Sequence, residues 1–515
     1  MLIKLSLLAV FAVVTVGIGL RCRGRAADVN GFVLAGRNVG PWLSAFAYGT
    51  TYFSAVVFVG YAGQFGWRYG ISAVWIGLGN ALLGSFLAWV ALGRRTRIMT
   101  RHLNSSTMPE FFGSRFNSDA LKIAASIIIF IFLIPYTASL YNGLSRLFAM
   151  AFDIDFTVCI AVMAALTAVY VIAGGYFATA VNDFIQGIVM IIGIIAVIAA
   201  ILADHGGFIA SLDALARVED KNISTTPGIF ASFFGPNPLD LLGVVLLTSL
   251  GTWGLPQMVQ KFYSIQSESA VFKGTVISTF FAFVIAGGCY FLGAFGRLYA
   301  NVIDIRASGY DAIIPAMLSG LSPLLIGITV LLVLSASMST LSSLVMTSSA
   351  TFTLDCLKGH IIKELNEKRQ LLLIRTLIAL FIITSAVIAI MQHKSSITFM
   401  AQLMGISWGA LAGSFLAPLL YGLYWKRTSN ASVWCCFLFS TVFMTANILF
   451  RDAFPALLKS PINAGAFAML SGMAIVPVVS AFSEPKDKKA VERCFACYDQ
   501  TTTAKVLQRL DEPGN

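Results

Sequence analysis

The stretch "LLTSLGTWGLPQMVQKF", residues 246–262, lies in an apolar span yet carries Gly251, Gly254 and Pro256. Proline removes a backbone donor and glycine has no side chain to favour the helix, so a helix through this stretch is expected to break. A second interruption falls in "AFAYGTTYFSAVVFVG", residues 45–60, where Gly49, Thr50, Thr51, Tyr52 and Ser54 sit near the middle of another apolar run. Taken singly, each reads equally well as a kinked packing helix with small-residue contacts. Together they open two successive sets of five spans. Paired interruptions at corresponding places in two halves point to an inverted-repeat transporter with its site at the repeat interface.

The chain around them has 515 residues, 57% hydrophobic and 11% charged, with a mean hydropathy of +0.82. Apolar runs near twenty residues cross roughly 30 Å of hydrocarbon as helices. They are too long for barrel strands, and backbone groups in lipid must be satisfied within their own segment. The expected fold is therefore an all-α polytopic membrane protein. About thirteen spans are expected, at 5–20, 43–65, 72–93, 122–150, 156–176, 180–203, 238–258, 274–296, 321–352, 370–391, 396–424, 432–450 and 464–481.

These spans divide the chain into a leading helix and basic loop (1–42), a first five-helix repeat (43–203), a loop (204–237) and a second repeat (238–424). Two further helices (425–481) and a tail (482–515), expected to form a short amphipathic helix, complete the chain. No extramembrane piece is large enough for a kinase or receiver domain.

The net charge of +11 does not indicate nucleic acid. Most of the Lys and Arg residues gather in alternate loops, as the positive-inside rule requires. One set holds Arg21, Arg23, Arg25, Arg37, Arg94, Arg95, Arg97, Arg101, Arg115, Lys122, Lys261, Lys273 and the basic tail. This places the N-terminus outside and the C-terminus in the cytoplasm, in the plasma (inner) membrane. The first segment resembles a secretory signal, but three arginines directly after its apolar core argue for a retained span. The scattered cysteines imply no disulfide framework, and the lone Cys494/Cys497 pair has no histidine near it in sequence.

Polarity is concentrated in one other span. In residues 335–349, nine of fifteen carry hydroxyls, beginning "SASMSTLSS". On a helix Ala336, Ser339 and Thr340 share one strip, and Ser339, Ser342 and Ser343 an adjoining one. Neutral hydroxyls and carbonyls suit a hard cation such as Na+, and an interrupted helix supplies free carbonyls beside them. Any one such serine alone reads as bonding back to its own helix. Asp183, in "AGGYFATAVNDFIQGIVM", is either a helix-start acid facing cytoplasmic water or a functional intramembrane carboxylate.

At these residues the sequence resembles the sodium/solute symporter family, which includes proline, pantothenate and monocarboxylate symporters. The motifs carrying the resemblance run in order from about residue 31 to 430: "FVLAGRNVGPWLSAF", "NSSTMPEFFGSRF", "YVIAGGYFATAVNDFIQG", "GLPQMVQKF", "SASMSTLSS" and "GALAGSFLAPLLYGLYWKR". The resemblance implies a LeuT-type 5+5 inverted repeat with one extra N-terminal and two extra C-terminal helices, working by Na+-driven alternating access. It implies a conserved sodium site from carbonyls at Thr50, Phe53 and Ala336 and hydroxyls at Ser339 and Thr340. A second sodium site would use Asp183, Ser342 and Ser343 and share Ser339, giving one or two Na+ per cycle.

The stretch "PYTASLYNGLSRLF" keeps a pattern of proline symporters at Tyr136 and Arg146, with Arg146 near Asp153 and Asp155. Thr248 and Thr252, however, stand where those relatives carry an aromatic pair. Val57 replaces a glutamine of the sugar branch, which disfavours a sugar. The expected solute is small and carboxylate-bearing, such as a proline-like amino acid, pantothenate or a monocarboxylate. It would bind among Tyr52, Ser54, Val57, Tyr136, Thr248, Thr252 and Trp253, although Tyr136 and Trp253 read equally as packing aromatics. No obligatory protein partner is expected. Proton coupling through Asp183 and a membrane sensor or scaffold are the alternatives. No nucleophile or HExxH motif supports an enzyme.

Overall fold

The computed structural model describes residues 2–152, 154–303, 305, 309–395 and 400–499. Among them no β-strand forms, only isolated bridges. Among the described residues ten helices are long and apolar enough to cross a membrane, or eleven if the bent pair Pro238–Trp253 and Pro256–Ser264 is one span.

The expected thirteen spans differ from this count because two long helices each run through two expected spans. Phe156–Asp204 has 49 residues and Val56–His102 has 47. At 1.5 Å per residue each would extend roughly 70 Å, more than twice the hydrocarbon thickness. Neither is straight helix throughout. Gly175 adopts φ 58, ψ −159 within the first, and Gly70 adopts φ 62, ψ −140 within the second. Such backbone angles are open to glycine and strained for other residues.

Helix starts follow their local sequence. Ser322 accepts from the Leu325 amide before Pro323, and Asn237 accepts from the Asp240 amide before Pro238. Proline at the first helical position loses no hydrogen bond, and the capping side chain satisfies an orphan amide. Thr107 caps the short helix Met108–Phe116 in the same way, while Glu110 accepts from the Ser106 amide.

Both interruptions are breaks in the backbone. The helix Pro41–Tyr52 stops at Phe53, whose backbone is extended (φ −100, ψ 91), and resumes as a π-helix over Val56–Tyr61. The second span turns by 41° where Leu255 leaves the helix ahead of Pro256. A Cβ on Gly254 would stand 2.7 Å from the Leu416 amide nitrogen and 2.8 Å from Ala412 Cα. This break therefore lies directly on the backbone of the helix Met400–Tyr424.

The hydroxyl-rich helix Pro323–Thr351 runs through the centre of the bundle, against Asp119–Phe152, Phe156–Asp204 and the first broken helix. Every residue from Val333 to Thr351 is buried. The tail expected over 482–515 is described as far as residue 499. There the helix Lys488–Phe495, capped by Asp487, buries Val491, Cys494 and Phe495. Cys494 and Cys497 are free thiols. The start of the expected 396–424 span, and Asp153 beside Arg146, lie outside the described residues.

Candidate functional site

Where a helix ends, its last carbonyls lose the amides four residues on. At the first break those carbonyls meet the hydroxyl helix. Thr50 O accepts from Ser339 Oγ at 3.0 Å and from Thr340 Oγ1 at 3.3 Å, and Thr51 O accepts from Thr340 Oγ1 at 3.2 Å. Both hydroxyls also reach Ala336 O, at 3.2 and 3.0 Å. Two side-chain oxygens and carbonyls from two helices thus converge. Thr50, Ala336, Ser339 and Thr340 are each at most 1% exposed. A small void of ≈ 10 Å³, lined by Phe53, Ser54, Phe58 and Ala336 among others, adjoins this group. That volume is about the least that holds one water.

The adjoining strip is arranged differently. Ser342 Oγ donates back to Ser339 O at 2.8 Å, within its own helix. Ser343 Oγ shares a hydrogen bond with Thr51 Oγ1 at 3.0 Å and accepts from Lys261 Nζ at 2.9 Å. The cytoplasmic-loop position expected for Lys261 is incorrect. Its residue is 2% exposed and its ammonium stands 5.0 Å from the centre of the Tyr176 ring. The helix Pro256–Ser264 that follows the second break is buried along its whole length, Lys261 included. One residue earlier, Gln260 Oε1 accepts from Thr347 Oγ1 at 2.6 Å, so the two helices are tied one turn apart.

Asp183 does not face water. It is 1% exposed, both carboxylate oxygens lack a hydrogen-bond donor, and its charge interacts with that of Lys261. Sequence reasoning missed Lys261 as a site residue. The available signal was a lysine seven residues after the Gly254 of a breaking span, and a basic residue near a span end reads first as cytoplasmic.

The residues expected around the solute differ in what their polar atoms face. Tyr136 faces Ser54 and the Trp408 indole, with the Tyr136 and Trp408 rings edge-on at 6.0 Å. The Tyr136 hydroxyl, Ser54 Oγ and Trp408 Nε1 are all buried without a hydrogen-bond partner. Buried polar atoms of this kind are rare unless they serve a ligand or water. Trp408 was not singled out in the sequence, where it is one of many aromatics in an apolar run. Tyr52 stacks on Phe53 at 4.2 Å and its hydroxyl donates to Thr248 O.

Thr248, Thr252 and Trp253 direct their own polar atoms elsewhere. Thr248 Oγ1 donates to Val244 O at 2.8 Å, Thr252 Oγ1 to Gly84 O at 3.0 Å and Trp253 Nε1 to Leu83 O at 3.0 Å. Thr252 and Trp253 thereby fasten the second break to the Val56–His102 helix, while Thr248 bonds within its own helix. Val57 is buried in the π-helix after the first break.

The sodium:solute symporter family profile matches residues 32–436, which include both breaks, Asp183, Lys261 and the hydroxyl helix. The chain belongs to the sodium:solute symporter family. Among its relatives in the sodium:solute symporter family, the osmoregulated proline transporter OpuE of Bacillus subtilis is 26% identical over 427 residues, 82% of this chain and 84% of that protein. The sodium/proline symporter of Staphylococcus aureus is 26% identical over 434 residues, 82% of each chain. A structure of a Na+-coupled sialic acid symporter, in a substrate-bound outward-open state, superposes with a TM-score of 0.76 at 15% identity. It covers 94% of this chain and 98% of that one, so the two share a fold of the LeuT type.

Proposed function

We propose that this sodium:solute symporter carries a small carboxylate-bearing solute into the cytoplasm, coupled to Na+ bound where the first break meets the hydroxyl helix. The observation that carries this reading is the convergence of Ser339 Oγ and Thr340 Oγ1 with Ala336 O on the Thr50 carbonyl. A hard cation takes several oxygen ligands. Here Thr50 and Phe53 offer carbonyls at the break and Ala336 one from the hydroxyl helix, and two hydroxyls can turn lone pairs to the ion without fixing a charge in the membrane. Binding Na+ replaces hydrogen bonds that now join the two helices, which couples the ion to their packing.

The solute is proposed to lie beside this group, with the unpaired Ser54, Tyr136 and Trp408 polar atoms as its partners and Tyr52 and Val57 in the wall. Relatives named as proline transporters make proline the first candidate to assay. Thr252 and Trp253, fastened to the neighbouring helix, act as the frame of the second break.

The same reading gives thirteen crossings. The helices interrupted at Gly70 and Gly175 each supply two, forming five-helix repeats over 43–203 and 238–424 that follow a leading helix and precede two more. The N-terminus is then outside and the C-terminus cytoplasmic in the plasma membrane. Uptake of labelled proline, pantothenate and pyruvate into proteoliposomes, under an inward Na+ gradient and a matched K+ gradient, tests the function. Uptake of one compound with Na+ alone supports it. Uptake indifferent to Na+ refutes the coupling.

A further inference from the structure

We infer that the Lys261 ammonium is the resident cation of the pocket between Asp183 and Ser343, so that this chain binds one Na+ and not two. The inference rests on the sodium reading above and fixes its stoichiometry. The family resemblance implies a second ion site at Asp183, Ser342 and Ser343 with a shared Ser339. In the fold Ser342 and Ser343 are already engaged by the protein itself, while the two Asp183 oxygens have no hydrogen-bond partner.

Ser343 is the decisive residue. Its oxygen accepts from Lys261 Nζ at 2.9 Å and shares a hydrogen bond with Thr51 Oγ1 at 3.0 Å. A hydroxyl has one donor and two acceptor positions. A cation on the same oxygen would stand against the ammonium in a buried setting, where like charges repel strongly. Ser342 is turned toward its own helix, onto Ser339 O at 2.8 Å.

Charge accounting leads to the same result. Asp183 is 1% exposed and Lys261 2%, so two groups of opposite formal charge lie buried in one neighbourhood. Buried charges persist when they are paired. With the Lys261 ammonium held on Ser343, an added Na+ on the same oxygen would place a second positive charge in the same buried space, beside the first ion site. Thr51, which bonds Ser343, directly follows Thr50, whose carbonyl belongs to that first site. Ser339 and Ser343 are one helical turn apart, about 5–6 Å between Cβ atoms. The ammonium is also held from the side by the Tyr176 ring, and its helix is pinned by the Gln260–Thr347 hydrogen bond.

The test is a count of radiolabelled Na+ bound at saturation by purified full-length protein, with Na+-dependent thermal unfolding as a second readout. Wild type should bind one Na+ per chain. Lys261→Met, which keeps the apolar stem and removes the charge, should bind two and should recover with Na+ the stability it loses without it. Asp183→Asn should still bind one, an arm that keeps the test decisive if Lys261→Met does not fold. Two Na+ on wild type, a fall from two to one in Asp183→Asn, or a folded Lys261→Met that still binds one would each overturn the inference and leave sodium coupling intact. No Na+ bound by any of the three would overturn the sodium reading itself, and the inference with it.

Discussion

Ser339 Oγ lies 3.0 Å from Thr50 O, although the two residues are 289 positions apart in sequence. The contact joins the end of one interrupted helix to the middle of an uninterrupted one. Thr340, next along the hydroxyl helix, reaches the same carbonyl at 3.3 Å. A cation that binds here bridges two helices from opposite halves of the chain.

Ser339→Ala and Thr340→Ala should each raise the Na+ concentration for half-maximal uptake about tenfold, equivalent to about 1.4 kcal/mol of ion binding. Expression and melting temperature should change little, because each removes one hydroxyl beside a carbonyl that keeps another partner. Na+ titration of uptake in proteoliposomes checks this. Unchanged Na+ dependence in both variants would remove these side chains from the site.

Asp183 and Lys261 should be worth more together than apart. Removing either partner of a buried pair strands a charge and costs about 3–5 kcal/mol, whereas replacing both is far milder. In Na+-free buffer, Asp183→Asn and Lys261→Met should therefore each unfold at lower temperature than the double variant. A double variant no more stable than the singles would show that the two charges do not compensate each other.

One Na+ per cycle sets a ceiling on accumulation. With about 100 mV of membrane potential and a tenfold Na+ gradient, one ion supplies about 3.7 kcal/mol, enough to concentrate a neutral solute about 500-fold. Reversal-potential measurements in proteoliposomes should give one charge per neutral solute. A ratio of two would contradict it.

Arg115 should be a structural anchor on the face where the tail docks. It is 1% exposed and its Nε and Nη2 donate to Gly422 O and Trp425 O at 2.9 and 3.1 Å, at the C-terminal end of Met400–Tyr424. A cation there satisfies carbonyls that the helix leaves free and complements its dipole. The guanidinium also stands 5.0 Å from the Phe495 ring of the tail helix. Arg115→Ala should cost about 1–3 kcal/mol by leaving these groups unpaired. It should also open the 488–495 segment to proteolysis, and limited digestion followed by mass spectrometry would show the cleavage.

Gly254→Val should abolish folding or sharply lower the melting temperature, since even a Cβ there would press on the Leu416 nitrogen and Ala412 Cα. Overpacking costs about 1–3 kcal/mol where side chains can yield, and more where backbone must move. Normal Na+-driven uptake by this variant would show that the second break does not need its close seat.

Much of the fold could be read in advance because a membrane imposes strong one-dimensional rules. Apolar length marks a crossing, and Gly251, Gly254 and Pro256 mark a place where a helix cannot continue. The number of continuous helices could not be read in the same way. The backbone departures at Gly70 and Gly175 rest on positive φ angles that apolar length does not announce. The hydroxyl strip was legible because helical spacing alone puts Ala336, Ser339 and Thr340 on one face.

By itself, then, the sequence determined that this chain is a helical membrane protein with two interrupted spans and a hydroxyl-lined helix of the sodium symporter pattern. Those properties follow from composition and from periodicity within single segments. The tertiary structure decided what each polar group faces. It turned Lys261 from an expected loop residue into the buried partner of Ser343, and it grouped Ser54 with Tyr136 and Trp408. The reason is that pairing of buried charges and hydroxyls is set by distances between helices far apart in the chain, and no local pattern encodes those distances.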